Sequence, residues 1–313
     1  MVYQIKGLAT GTNSRAELND IYGPSVLETL NLESKLYKTV AKVDSPSDRV
    51  GYRVRTAANP TANSYEELDV LTTGNSTRQR HYVAKKLLKV GVEVSNFAIA
   101  SAEGPGGIGG LWAEEMRVAA EDFAVEVDTQ MCSDANPNSS NDMTGLQYLI
   151  DSGANHTSYG DVTDRTATGY SWAVANYNAT AEDLSITRMR TMIKDNVVDG
   201  ANKSNLVFWT HPTQVDKYKD LIQDMQRTVP TSSVAGFEGV PSLDGVPIMD
   251  DIRITESEMY CLDMSKMKLH MLKAPTVIPL PEPKDAEAAA IVMYAQFWCD
   301  LPKVNYKKTA LTT

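Results

Sequence analysis

Apolar and charged residues alternate over 48–56, DRVGYRVRT, where Val50, Tyr52 and Val54 stand against Arg49, Arg53 and Arg55. A period of two marks a strand with one buried face. The alternation resumes in HYVAKKLLKVGVEV, with Lys86, Leu88, Val90, Val92 and Val94 on one side. Between the two, residues 57–80 are rich in Asn, Thr, Ser and Gly and hold no period. Two strands around so long a polar stretch predict a protruding β-hairpin over 44–94. A loop of that length must gain its order from outside itself, which makes it a functional candidate.

The period then changes to that of a helix. In LWAEEMRVAAEDFAVEVDTQM, Trp112, Met116, Ala119, Phe123, Val127 and Met131 recur at steps of three and four and form one apolar stripe. The other face is acidic, with Glu114, Glu115, Glu121, Asp122, Glu126 and Asp128 opposed only by Arg117. The turn cluster SDANPNSSND ends the helix. From 145 to 270 the texture is α/β. A capping-box-like start at Thr180–Asp183 predicts a helix to 198, LVFWT (206–210) reads as a buried strand, and Pro212 opens a further helix. Strands are expected at GVPIMDD, MYCLDM, KMKLHML and AAIVMYAQFWCDL, followed by a basic tail, PKVNYKKTAL. At the other end, the first forty residues form a polar arm, with one short helix after Pro24 carried by Val26, Leu27, Leu30 and Leu32.

Composition narrows the function. The chain has 313 residues, 42% hydrophobic and 22% charged, with a formal net charge of -10. That is an ordinary globular composition, and its sign argues against tight sequence-independent nucleic-acid binding, which runs on Lys and Arg. No apolar run approaches the roughly 18 residues of a membrane span, and the start shows no signal-peptide core, so synthesis inside the cell is expected. Cys132, Cys261 and Cys299 are far apart and fit reduced, buried thiols. His81, His156, His211 and His270 show no metal-ligand spacing, and none pairs with a positioned nucleophile. Gly104, Gly106 and Gly109 satisfy G-x-G-x-x-G before the long helix. A dinucleotide site would also need a buried strand before the glycines and an acid about 20 residues on at the end of a second strand. Here Pro105 sits in the turn and acids crowd the first helical turn, so a nucleotide-dependent oxidoreductase is the remote alternative. No catalytic residue, cofactor or metal is expected.

Charge is distributed unevenly. Residues 44–94 carry eight Lys and Arg against six acids, and residues 111–131 carry one Arg against six acids. A basic hairpin and an acidic helix are complementary, so the hairpin of one copy can lie across the helix of the next. The expected contacts join Arg78, Arg80, Lys85 and Lys86 to Glu121, Asp122 or Glu126 of a neighbour.

The order of these parts carries a resemblance. A polar arm, a two-stranded loop, a helix of the form E-x-x-x-A-A-x-D-F-A-x-x-V-D, a polar cluster and T-G-L are followed by LVFWTHPTQVDKYKDL, L-D-G-V-P-I and Y-C-L-D-M. The whole resembles the major capsid protein of tailed viruses, the α+β Hong Kong 97-type fold. That resemblance implies an N-terminal arm (1–43), an E-loop hairpin (44–94), and a P-domain with its spine helix (95–145, the helix from Gly107 to Met131). It also implies an α/β A-domain (146–270, with Val229 to Asp244 a loop near the capsomer axis) and returning P-domain strands (271–313). It further implies a non-enzymatic subunit that self-assembles as hexamers and pentamers into an icosahedral virion shell around double-stranded DNA. Assembly would take place in the host cytoplasm, with no membrane partner. Portal and decoration proteins are possible partners, and scaffolding would come from a separate protein or from a segment already removed. Some members of the family join an E-loop Lys to a P-domain Asn, but residues 56–80 contain no Lys. An encapsulin-type nanocompartment, built on the same fold around protein cargo, is the alternative.

Overall fold

The structure is a computed structural model that describes residues 35–102, 110–223, 231–232, 240–281 and 284–312. The helix expected after Pro24 and the glycines 104–109 lie outside these residues. In chain order, the first elements are α1 (Lys35–Thr39), β1 (Ala41–Asp44), β2 (Arg49–Ala57), β3 (Thr77–Ala84), β4 (Lys86–Ser95), α2 (Asn96–Ala102) and α3 (Leu111–Cys132). The middle of the chain gives α4 (Leu146–Leu149), β5 (Asn176–Asn178), α5 (Ile186–Val198), β6 (Leu206–Thr210), α6 (Pro212–Gln223) and β7 (Thr231–Ser232). The remainder gives β8 (Val240–Leu243), β9 (Val246–Asp250), β10 (Met259–Asp263), β11 (Met267–Leu280), β12 (Ala286–Cys299) and β13 (Tyr306–Lys308).

The strands form a two-stranded ribbon, β2-β3, a four-stranded sheet ordered β1-β11-β12-β4, and a seven-stranded sheet ordered β5-β13-β10-β6-β9-β8-β7. The long helix α3 packs Phe123, Val127 and Met131 into the same core as Leu88, Ile291 and Met293 of the four-stranded sheet. Its acidic composition hides one exception to the expected pattern: Asp128 is not on the solvent face but fully buried. Asp128 lies three residues before Met131 and four before Cys132, which places it on the edge of the apolar stripe. Gly110 begins the helix with φ 64°, a left-handed conformation that glycine adopts without steric cost.

Strand β6 is buried at every position. Leu206 and Phe208 enter one core with Met189, Tyr218 and Ile248, while Val207 and Trp209 enter the other with Tyr260 and Leu262. Burial on both faces is why LVFWT is apolar throughout instead of alternating.

The expected segment boundaries change in three places. Strand β4 is not the second arm of the hairpin. It pairs antiparallel with β12 along its whole length, so the ribbon ends at Ala84. The basic tail does not stay with the four-stranded sheet, because β13 lies between β5 and β10 in the seven-stranded one. Lys307 and Lys308 are buried there, facing Glu258 at 3.3 Å and Glu182 at 3.5 Å. Finally, α5 starts at Ser185, whose hydroxyl accepts from the Arg188 N–H, and not at a box over 180–183.

Candidate assembly interface

The ribbon has two unlike faces because its side chains alternate. On the inner face are Val50, Tyr52, Val54, His81 and Val83, all buried. Tyr52 meets Trp298 at 5.3 Å between ring centroids, and His81 meets Trp172 at 5.3 Å. Tyr159 completes the cluster at 4.5 Å from Trp298, and its hydroxyl donates to the Cys299 carbonyl. His81 is therefore an anchor of the ribbon, with its Nδ1 3.0 Å from Asp161. This aromatic seat fixes the root of the ribbon and leaves the rest projecting.

The outer face carries Arg53, Arg55, Arg78 and Arg80, all exposed. The pairing sets Arg53 directly opposite Arg80 and Arg55 directly opposite Arg78. Like charges directly across a ribbon are destabilising, and among the described residues no carboxylate pairs with any of the four. One rung nearer the root, Gly51 faces Tyr82. The missing side chain there lets the Tyr82 ring lie against the backbone, beside an open recess of about 350 Å³ lined by Gly51, Tyr52, Arg53, Arg80 and Tyr82. Beyond the ribbon, the tip exposes Tyr65, Leu68, Val70 and Leu71, Leu68 at 96%. A run of large apolar side chains with nothing over it marks a contact surface.

The structure sorts the sequence-predicted contact residues. Arg78 and Arg80 stand free on the outer face. Lys85 does not: its Nζ donates to the Ser45 and Ser47 carbonyls at 2.5 and 2.7 Å, and burial pulls its pKa down. Lys86 donates to the Pro137 and Ser140 carbonyls at 2.8 and 2.6 Å. Both ammonium groups tie loops of their own chain. On α3, Glu121 is held by Arg117 at 2.5 Å, leaving Asp122 and Glu126 exposed, the latter accepting from Gln130 at 2.9 Å. Arg53 and Arg55 were missed as site residues, although their two-residue spacing already placed them on one face with each other. A check follows for the lysines. Lys86→Gln should lower the subunit's stability in urea by about 1–2 kcal/mol, the cost of leaving carbonyls unpaired, whereas Arg80→Gln, which removes a charge facing Arg53, should not lower it.

Among the described residues no cluster of three or more His, Cys, Asp or Glu side chains could hold a metal ion, and no helix is long and apolar enough to cross a membrane. All three cysteines are buried free thiols. Burial raises the pKa of each, Cys299 to about 12, which keeps them protonated and unreactive.

A family model for the SU10 major capsid protein matches residues 31–295, most of the chain. The chain belongs to the SU10 major capsid protein family. A search of curated proteins finds no match. Among solved structures, the cyanophage A-1(L) capsid asymmetric unit superposes with a TM-score of 0.72 at 12% identity, over 93% of this chain and 96% of that one. Mycobacterium phage Bobi gives a TM-score of 0.61 at 11% identity, over 95% and 97%. The SrpI encapsulin of Synechococcus elongatus PCC 7942 gives 0.63 at 10% identity, over 96% and 95%. At such identities the likeness is one of fold, and the fold is the Hong Kong 97 type. As a major capsid protein, the chain has a structural role.

Proposed function

We propose that this capsid protein is the repeating subunit of an icosahedral shell that encloses a double-stranded DNA genome. Its copies join as hexamers and pentamers assembled in the host cytoplasm, with scaffolding, portal and decoration proteins as separate partners. The observation that carries the reading is the ribbon. It is rooted in an aromatic seat and presents an arginine face and an apolar tip that none of the described residues of its own chain covers. Past Val54, the last residue of β2 buried on the subunit's own core, residues 55–77 include no buried side chain and are the part that can overlie an adjacent subunit. The acidic face of α3 supplies the opposite charge, so Arg78 and Arg80 of one copy meet Asp122 and Glu126 of the next. Each exposed ion pair contributes at most about 1 kcal/mol, and a closed shell repeats it at every subunit. The net charge of -10 keeps the wall from adhering to the packaged polyanion.

The reading is tested by expressing the chain alone and with candidate scaffold, then measuring particle size by light scattering with negative-stain imaging. Hollow shells, or rings of five or six subunits, are expected. A compact dimer or tetramer that gains thermal stability from a nucleotide would overturn the reading. The likeness to an encapsulin favours one second reading, a shell around protein cargo. Particles from the native source that contain protein cargo and no DNA would favour it.

A further inference from the structure

Strand β11 has two edges that are covered unequally. One is paired with β12 out to Leu280. On the other, β1 covers only Lys268–Met271, and the Ser45 N–H closes that pairing on the Met271 carbonyl at 2.7 Å. From Leu272 to Leu280 no strand among the described residues pairs with this second edge. That is about 30 Å of open strand, and Leu272, Val277 and Leu280 are exposed along it. An open edge of such length with apolar side chains is a template for a strand of another copy.

The backbone groups on offer follow from the register. Pro279 lies opposite Ala289. In an antiparallel ladder two opposed residues either exchange both N–H···O bonds or turn both groups away from each other. Proline has no N–H to exchange, so this pair is of the second kind, and the main chain of Pro279 faces the open edge. Val277, two residues back and opposite Ile291, faces the same way, while Thr276, Ile278 and Leu280 hold the bonds to β12. Before them the ladder shifts, and Ala274 and Pro275 together oppose the single Met293. Such a bulge bends an edge away from a straight partner. The Ala274 carbonyl is moreover taken by the Thr276 hydroxyl at 2.8 Å. From Pro275 to Leu280 the open edge therefore presents one N–H, that of Val277, where alternate positions of an ordinary strand would present three.

We propose that Pro275 and Pro279 close this edge to strand addition, so that copies crowded into a shell cannot fuse their four-stranded sheets. The closed edge rests on the shell reading only for that crowding. A strand added to an edge is held by a donor at every second residue, and proline is confined to positions where that donor is not needed. With the edge closed, contacts between copies are left to side chains, which separate more readily than a continuous sheet.

Returning the donors tests it. P275T/P279T restores two N–H groups and leaves the ladder with β12 intact. At equal concentration it should form irregular aggregates in negative stain and raise thioflavin T fluorescence about tenfold or more over the wild type, as paired sheets stack. Adding V277P removes a donor again and should bring the fluorescence back to the wild-type level. V277P alone should unfold close to the wild-type midpoint, because the N–H it removes bonds to nothing in the sheet, whereas I278P should lower the midpoint by breaking a bond to β12. If P275T/P279T fails to fold, P279T alone takes its place. Unchanged fluorescence in the folded threonine variant, or fluorescence that V277P does not reduce, overturns the closed edge while wild-type shells leave the shell reading intact. A wild type that makes neither shell nor ring overturns the shell reading, and the edge is still decided by the fluorescence.

Discussion

An Arg165→Met subunit is expected to be less stable than the wild type by about 3 kcal/mol or more. Arg165 is fully buried, yet among the described residues no carboxylate lies within ion-pair distance of it. Its guanidinium instead holds backbone. Nε and Nη2 donate to the Ser158 carbonyl at 3.1 and 2.6 Å, Nη2 also to the Tyr148 carbonyl at 3.0 Å, and Nη1 to the Asp151 carbonyl at 3.2 Å. The rings of Tyr148 and Tyr159 lie 5.2 and 5.1 Å from the charge. In the variant Asp151 keeps a donor, the Ala175 N–H, but Ser158 and Tyr148 lose theirs. Each orphaned carbonyl costs about 1–3 kcal/mol, and the lost cation–π contacts add about 1 kcal/mol. Methionine removes the cost of burying a charge, but the carbonyls remain, so the loss wins. Denaturant unfolding of the isolated subunit reads the effect directly. A variant as stable as the wild type would mean that solvent reaches this loop.

The second large effect concerns pH. Asp128 sits where α3, α1 and the loop after β9 meet. Its Oδ1 accepts from the Tyr37 N–H at 2.6 Å and its Oδ2 from Arg253 at 2.8 Å, with Asp251 beside it and sharing Arg253 at 3.6 Å. Burial lifts its pKa to about 6, and Asp251 adds to the rise, while Tyr37 and Arg253 oppose it. A carboxyl whose pKa is higher in the folded state than in the unfolded one contributes its stability below the unfolded value, 3.8. That contribution is lost as the pH climbs through 6. The difference is worth about 3 kcal/mol across that window. Asp128→Asn mimics the protonated form, so the variant should gain about 3 kcal/mol on the wild type between pH 4 and pH 7.5. Unfolding free energies measured for both across that range check it. A constant difference would show that the carboxyl is not shifted.

These two residues also show what a sequence displays and what it conceals. Strand β2, α3, β6 and the helix after Pro212 were legible because each buries one face or two, and burial imposes a period on the side chains; the second arm of the ribbon was placed too far along the chain. Asp128 was read as one more solvent acid because composition, not position on the stripe, guided the reading. Its spacing to Met131 and Cys132 was the available signal. Arg165 left no signal. From within TDRTATGY it serves the backbone carbonyls of Tyr148, Asp151 and Ser158, and a side chain that bonds to main chain has no partner residue to betray it. Lys85 and Lys86 misled for the same reason. A basic residue at a hairpin's root looks identical whether it reaches a neighbour's acid or its own chain's carbonyls. Arg53, Arg55, Arg78 and Arg80 were visible as charges, but their face-to-face opposition depends on the register, which the polar tip does not encode.

The pairing of β4 with β12 has a consequence in time. Lys86 lies opposite Ala295, across more than two hundred residues of sequence. At a synthesis rate of about 5–20 residues per second, the first partner waits roughly 10–40 s for the second to leave the ribosome. Throughout that delay Leu88, Val90 and Val92, which end in the core, have no sheet to join. A nascent chain at this stage is a natural client for a holding chaperone, and many are made at once when a shell is being supplied. The ribbon, by contrast, closes between segments less than forty residues apart and can form early. Translation thus delivers the ribbon first and the strand that completes the sheet beneath it last.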